Sequence, residues 1–127
     1  MEWEFPISPV AASRPRVSRH GAYFTGPYKE FRKVMTDLVP TMIGDMDPIA
    51  YPLHVDLEIY VKRPKKTKLD APRGDIDNYI KAIFDSMNGL LWDDDVQVRC
   101  VYATKQWASE GEDGYFVIGV DKYDDSD

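Results

Sequence analysis

The chain has 127 residues, a length that suits one compact domain and is too short for two. Hydrophobic residues make up 43% of it, so we expect a buried core and one domain over residues 1–127. Its 16 Lys and Arg residues against 22 Asp and Glu residues give a formal net charge of -6. That acidity argues at first sight against a nucleic-acid partner, because binding phosphates requires cations.

The N-terminal segment is predicted to form a short strand and a hairpin. Residues 2–7, EWEFPI, are aromatic and apolar and end at Ser8-Pro9, which is typical of an edge strand. A polar stretch over residues 14–21 precedes an apolar segment at residues 22–24, and the two can pair back as a hairpin.

A first helix is predicted to start at Gly26-Pro27, because proline is tolerated in the first helical turn. Apolar residues then recur at helical spacing, namely Tyr28, Phe31, Val34, Met35 and Leu38. Pro40 is expected to end this helix.

The clearest strand covers residues 53–61, where five apolar residues alternate with polar ones. A basic loop, residues 62–73, leads into a second helix that starts near Asp75 and stops at Asn88-Gly89. The apolar residues of this helix form one stripe, so we expect it to pack lengthwise on a sheet.

Two further strands are predicted, at about residues 96–106 and 115–120, and residues 121–127 are expected to form a solvated acidic tail. In the first of these strands an alternating set is expected to face the core, namely Val96, Val98, Cys100 and Tyr102. The complete order predicts an α+β fold in which two main helices pack on a mixed sheet of five or six short strands.

The same sequence limits the compartment and the partners. A single cysteine excludes an intrachain disulfide, and the N-terminus lacks the basic and apolar regions of a secretory signal. No apolar run approaches the ~20 residues that cross a bilayer. We therefore expect a cytoplasmic protein with no membrane partner and no organic cofactor.

Residues 74–98 carry acidic residues on either side of the second helix. Asp75 and Asp77 open the helix, Lys81 follows one turn later, and residues 93–95 are three consecutive aspartates. We expect the return segment to bring residues 93–95 back past the helix start.

A cluster of carboxylates is the expected result. Carboxylates that lie close together repel one another unless a cation lies among them, and oxygen ligands suit Mg²⁺, with Mn²⁺ as a substitute. Such ions assist phosphodiester hydrolysis.

Each of these residues also has a structural interpretation. Asp75 suits a helix N-cap, and Asp77 with Lys81 suits an i,i+4 ion pair. Residues 93–95 suit a solvated turn. Spacing alone leaves both interpretations open.

Most of the chain resembles a known family. The run GDIDNYIKAIFDSMNG at residues 74–89, followed by WDDDVQ at residues 92–97, resembles the signature of the RusA-type Holliday junction resolvases. Residues 14–16 and 23–25 are similar to the N-terminal segment of that family. The resemblance implies a homodimeric, magnesium-dependent endonuclease that nicks four-way DNA junctions symmetrically in recombination and repair.

The resemblance also implies roles for individual residues. Asp75 and Asp77 match the metal ligands of the family's D-x-D motif, and Asp95 matches its third metal carboxylate. Lys81 matches its essential lysine, and Asp94 matches an acidic neighbour that we include in the metal site. Catalysis would then depend on Asp75, Asp77, Lys81 and Asp95.

Three other residues keep two interpretations each. Phe84 falls at an aromatic position implicated in junction binding, and its helical phase equally suits core packing. Asp93 is an additional acid of undefined role. Lys105 either reaches the site or is exposed.

The charges are distributed unevenly. Residues 14–33 and residues 62–73 each hold six Lys or Arg residues against one acid, so each segment is +5. We expect contacts with the DNA backbone from Arg14, Arg16, Arg19, Lys65, Lys66, Lys68 and Arg73. The net acidity is an average over the chain and excludes little.

Two other functions fit the same residues, besides a metal-stabilised protein-interaction domain, which would have no affinity for DNA junctions. One is a nuclease of related fold that acts on flaps or other branched DNA. The other is a DNA-binding module without catalysis, which would bind DNA with a steep salt dependence and cut nothing.

Overall fold

The secondary structure follows the predicted order of elements. The computed structural model describes residues 1–124, and over this range the chain forms six strands, two α-helices and one short 3₁₀ turn. They are β1 (Glu2–Phe5), β2 (Arg16–Ser18), β3 (Gly21–Tyr23), α1 (Gly26–Ile43), β4 (Leu53–Val61), α2 (Ile76–Met87), the 3₁₀ turn (Asp95–Gln97), β5 (Val98–Trp107) and β6 (Tyr115–Lys122). The predicted α+β class is confirmed.

The strands form two sheets rather than one. The main sheet has four strands in the order β1-β6-β4-β5, with β4 and β5 parallel and the other neighbours antiparallel. Strands β2 and β3 pair as a separate hairpin whose strand residues are all exposed. The hairpin is confirmed, whereas a single sheet of five or six strands is wrong, because these two strands have no buried side that would dock on the main sheet.

Helix α2 is the crossover between the parallel strands β4 and β5. Between two parallel strands the chain must return to the edge of the sheet where the first strand began. The connecting helix α2 therefore runs antiparallel to β4 and β5. Its first turn therefore lies where β4 and β5 end, and its last turn lies where they begin.

Both helices cover the same face of the main sheet, where the core lies. The bulkiest of its fully buried side chains include Phe5, Met35, Leu57, Ile83, Trp92 and Phe116. The other face of the sheet is uncovered and carries five exposed carboxylates, namely Glu2, Glu4, Asp56, Glu58 and Asp121.

Pro40 does not end α1, so that prediction is wrong. The helix continues to Ile43, and Gly44, at φ 70°, ends it by donating its backbone N–H to the Pro40 carbonyl at 3.0 Å. Pro40 is exposed, while Met35 and Val39 on the buried side are fully enclosed. Their burial offsets the backbone hydrogen bond that proline cannot make.

A β-bulge near the start of β5 changes which side chains face the core. Leu53 pairs with Val98, but its neighbour His54 pairs with Cys100, so Arg99 is an extra residue on β5. Because side chains alternate along a strand, one extra residue reverses the faces beyond it.

The predicted core face of β5 is therefore wrong beyond the bulge. Tyr102 is 68% exposed on the uncovered face, and Val96, ahead of the strand, is 80% exposed. The side chains that share the helix-covered face with the buried residues of β4 are instead Val101, Ala103, Lys105 and Trp107.

The C-terminal strand extends further than predicted. Strand β6 includes Asp121 and Lys122, and Tyr123 donates its backbone N–H to the Pro52 carbonyl at 2.8 Å. The predicted tail at 121–127 therefore begins too early, and residues 125–127 lie outside the described residues. Within residues 1–124, no helix combines the length and the apolar character of a membrane span.

Candidate active site

The first turn of α2 presents two carboxylates that take almost no part in the fold. Asp75 occupies the N-cap position in extended geometry, but its side chain makes no capping hydrogen bond and is exposed. Asp77 is also exposed, and its Oδ1 accepts a hydrogen bond at 3.1 Å from the backbone N–H of Asn78. The N-cap interpretation of Asp75 is thus right in position only, and both carboxylates face solvent.

The backbone of this turn is held from several directions. The Asp75 carbonyl accepts the N–H groups of Asn78 at 3.1 Å and Tyr79 at 3.3 Å, and the Asn78 carbonyl accepts the N–H of Ala12 at 2.9 Å. Lys105 Nζ donates to the carbonyl of Gly74 at 2.6 Å. The two exposed carboxylates therefore extend from a fixed backbone.

Tyr79 closes the same turn from the core side. The residue is buried, and burial raises the pKa of its phenol, so the side chain is neutral at physiological pH. Its ring packs so closely on Gly74 that a Cβ added there would lie 2.8 Å from Tyr79 Cε2 and 3.0 Å from Ala11 Cβ. A glycine is therefore needed directly before Asp75.

Lys81 is available to a ligand. It forms an i,i+4 ion pair with Asp85 at 3.2 Å rather than with Asp77, and its side chain is 64% exposed. The Lys81 ammonium lies largely in solvent while Asp85 is 25% exposed, and solvent-screened pairs contribute on the order of 1 kcal/mol, so Lys81 can leave Asp85 at modest cost.

The aspartates after α2 are built into the fold to different degrees. Asp94 caps the 3₁₀ turn: its Oδ1 accepts the N–H of Val96 at 3.0 Å, and its own N–H donates to Gln97 Oε1 at 2.8 Å. Gln97 Nε2 in turn donates to the carbonyls of Ile49 and Tyr51. The carboxylate of Asp94 therefore has a structural use, which the pattern Asp94-x-x-Gln97 of a capping box signals in the sequence.

Asp95 lies at the far end of α2. Its Oδ2 accepts a hydrogen bond at 3.3 Å from Asn88 Nδ2, and Asn88 Oδ1 accepts one at 2.7 Å from the buried Trp92. Asp93 is exposed.

The two groups of aspartates lie at opposite ends of α2. Asp77 is in the first turn of α2, and Asp95 is hydrogen-bonded to Asn88, the residue after the last turn. Along the helix axis, residues 77 and 88 are about 16 Å apart at 1.5 Å per residue. Within residues 1–124, no three His, Cys, Asp or Glu side chains lie close enough to hold a metal ion. The expectation that residues 93–95 pass the start of α2 is therefore wrong within one protomer, because the crossover helix runs opposite to β5.

A groove between α2 and the start of β5 connects the two ends. This cavity of about 330 Å³ is lined by Asp77, Lys81 and Asp95, with Arg99 and Cys100 on the strand side. Asp75 is not part of its lining. A larger cavity, of about 730 Å³, lies on the uncovered acidic face and contains none of the predicted site residues.

The donor set at both ends of the groove suits a hard cation. Mg²⁺ usually binds through one or two carboxylates and keeps its other positions for water and substrate phosphates. Asp77 supplies a carboxylate at one end, with Asp75 two residues earlier in the chain and outside the groove lining, and Asp95 supplies one at the other end.

The predicted phosphate-binding cations approach the start of α2 from two sides. Residues 62–73 lead directly into it, and Ala12, just before the hairpin, is hydrogen-bonded to its first turn. All seven are exposed, and none forms an ion pair within residues 1–124; they are Arg14, Arg16, Arg19, Lys65, Lys66, Lys68 and Arg73. Exposed cations without carboxylate partners are free to bind phosphates.

Phe84 has the environment of a core residue. It is 8% exposed, and its ring meets that of Trp92 edge-on at a centroid distance of 5.1 Å. This packing accounts for the aromatic side chain by itself.

Unpaired carboxylates between two cationic segments suit metal-assisted hydrolysis of a phosphodiester. The sequence model of a family described as endodeoxyribonuclease RusA matches residues 6–113. The chain is also 32% identical over 119 residues to the uncharacterized protein YqaN of Bacillus subtilis (strain 168), covering 80% of this chain and 84% of that protein. The chain therefore belongs to the RusA family and is an endodeoxyribonuclease of the Holliday junction resolvase class, a hydrolase. The resemblance drawn from residues 74–97 is confirmed.

Proposed function

We propose that this enzyme is a magnesium-dependent endonuclease that resolves four-way DNA junctions by paired, symmetric nicks in DNA recombination and repair. One observation carries the proposal: the exposed carboxylates of Asp75 and Asp77 lie on a fixed backbone between two segments that hold seven exposed cations with no ion pair within residues 1–124. Asp75, Asp77 and Asp95 would hold Mg²⁺, or Mn²⁺ in its place. The metal, when bound, polarises the scissile phosphate and makes water a better nucleophile.

The protein's own groups would divide the remaining work. Lys81 Nζ would leave Asp85 and donate to a phosphate oxygen, which stabilises the charge that develops in the transition state. The hairpin and the 62–73 loop would hold the phosphate backbone without reading base sequence. Asp94 was assigned to the metal site, but its cap argues for an indirect role, in which it fixes the turn that carries Asp95.

A homodimer would complete the site. Asp95 lies just before β5 begins, whereas Asp77 lies where β5 ends. Two copies that pair their β5 edges antiparallel about a two-fold axis would bring Asp95 of the partner subunit towards Asp77. Strand β5 suits this role, because it is a ten-residue edge strand with Val101 39% exposed at its centre.

The first test is cleavage of a synthetic four-way junction in Mg²⁺. We expect the wild type to cut it, Asp77→Asn to leave it whole, and Asp37→Asn, at an exposed carboxylate of α1, to cut like the wild type. An inert wild type, or an Asp77→Asn variant that cuts as fast, would refute the proposal. Three-way, flap and linear substrates run alongside would reveal a preference for another branched DNA. Binding without cutting would indicate a DNA-binding module.

The second test separates a shared site from one within a protomer. Asp77→Asn and Asp95→Asn proteins should each be inactive alone. After unfolding and refolding together, a heterodimer with sites across the interface contains one site with both aspartates, so nicking should return. Sites confined to one protomer would leave every site with one substitution, and the mixture would stay inactive.

A further inference from the structure

Lys105 occupies a strand position where an apolar side chain is expected. It pairs with Ile59, which is fully buried, and its side chain points to the face that the helices cover. An ammonium on that side must find polar partners, because burying a charge without them is costly. Residues 1–124 offer it no carboxylate within ion-pair distance.

The partners of Lys105 are two backbone carbonyls directly ahead of α2. Its Nζ donates to the carbonyl of Pro72 at 2.8 Å and to that of Gly74 at 2.6 Å. The Gly74 carbonyl belongs to the peptide bond that leads into Asp75. A hydrogen bond to it restricts the rotation of that peptide plane, and with it the direction in which the Asp75 side chain leaves the backbone.

A second side chain of β5 supports the same loop further back. Trp107, two residues along the strand, donates its Nε1–H to the Leu69 carbonyl at 2.9 Å. Most of the 62–73 loop is otherwise exposed and would move freely. Lys105 and Trp107 therefore connect this exposed loop to the main sheet.

We propose that Lys105 is a positioning residue for phosphodiester cleavage: its ammonium fixes the peptide planes of Pro72 and Gly74 and so sets where Asp75 and Asp77 meet the cation and the scissile phosphate. The inference rests on the proposed function of that site. A direct phosphate contact by Lys105 is the competing role, and it makes different predictions for binding and for turnover.

The test compares Lys105→Met, which keeps an aliphatic chain without a donor, with Lys105→Arg, which keeps hydrogen-bond donors. Lys122→Met is the control, because it removes one exposed charge at the end of β6. Four quantities are measured. Two come from cleavage of the four-way junction, namely kcat and the Mg²⁺ concentration that gives half-maximal rate. The others are the junction Kd without divalent metal and the hydrogen exchange of residues 72–79 in the metal-free protein. Circular dichroism establishes that each variant is folded.

We expect Lys105→Met to lower kcat about 10- to 100-fold, because a misplacement of about 1 Å has that effect. It should also raise the Mg²⁺ requirement and accelerate exchange over residues 72–79, while its junction Kd matches that of Lys122→Met. Lys105→Arg should recover part of kcat. If Lys105→Met does not fold, Lys105→Gln takes its place: its side chain is neutral and one atom shorter, so it cannot bridge the Pro72 and Gly74 carbonyls, and the same loss of kcat and faster exchange are expected.

Two results would overturn the inference. One is a Lys105→Met enzyme with wild-type kcat, Mg²⁺ requirement and exchange. The other is a variant whose Kd alone rises, which would make Lys105 a phosphate contact. A wild type that cuts no junction would instead refute the proposed function, and the exchange measurement would still decide whether Lys105 anchors the loop.

Discussion

The two acidic turns that flank α2 contain the same residue type and use it differently. At the start of α2, Asp75 and Asp77 are exposed, and within residues 1–124 their side chains take part in one local hydrogen bond, which Asp77 accepts from the backbone N–H of Asn78. After α2, Asp94 closes a capping box, and Asp95 is held by Asn88, which is itself held by the buried Trp92.

This difference separates the free carboxylates of Asp75 and Asp77 from that of Asp94, which stabilises the fold, while one hydrogen bond orients the carboxylate of Asp95. The first turn keeps its backbone in place through other groups, namely Gly74, Tyr79 and Lys105, and leaves its acids unengaged. The second turn depends on an acid for its own geometry. Substitutions at the two turns should therefore change activity and stability in different proportions.

The largest effect is expected from Asp95→Asn compared with Asp94→Asn. The asparagine at 95 can still accept the hydrogen bond from Asn88, so the fold is kept and only the charge is lost. We expect cleavage to fall by at least about 100-fold, as it does when a group that stabilises the transition state is removed. Asparagine at 94 remains a good cap and should cut at close to the wild-type rate. Equal losses of junction cleavage in the two variants would mean that Asp94 is also a ligand.

An intermediate effect is expected from Gly74→Ala. The new Cβ would meet the Tyr79 ring at 2.8 Å, so the turn must shift at a cost of about 1–3 kcal/mol in the free energy of unfolding. Urea denaturation measures this change. Gly119→Ala is the matched control, because its Cβ would find its nearest neighbour at an ordinary 3.8 Å. Equal stabilities of the two variants would contradict the close packing before Asp75.

The smallest effect is expected from Asp94→Ala. Loss of an N-cap acceptor costs about 1 kcal/mol, and the neighbouring Asp93→Ala, which removes no capping bond, should leave the free energy of unfolding unchanged. Asp94→Asn should restore the stability. Thermal or urea unfolding of the three variants measures these differences. An Asp94→Ala protein whose free energy of unfolding equals that of the wild type would contradict the structural role of the second turn's acid.

Local patterns were sufficient to predict much of this structure. The apolar stripe and the acidic start located α2, and strict alternation located β4. The spacing of Asp75, Asp77 and Lys81 left two interpretations open, whereas the continuous run at residues 74–89 with residues 92–97 was enough to identify the family.

Long-range pairing was what the sequence did not reveal. The parallel pairing of β5 with β4 sends residues 93–95 to the far end of α2, and no local pattern distinguishes that path from an antiparallel return. The bulge at Arg99 depends on the partner strand, so the alternation through Cys100 was assigned to the wrong face. Local sequence does not decide the role of Lys105 for the same reason, since its partners lie 31 and 33 residues earlier.

The uncovered face of the main sheet has a consequence for how the enzyme meets DNA. Five carboxylates lie on that face, while the unpaired cations lie in the hairpin and the loop that border α2. Such a separation makes the molecule a strong electric dipole in spite of its net negative charge. Approaching a polyanion, it would be rotated into the productive orientation before contact, so the association rate should fall steeply as ionic strength rises.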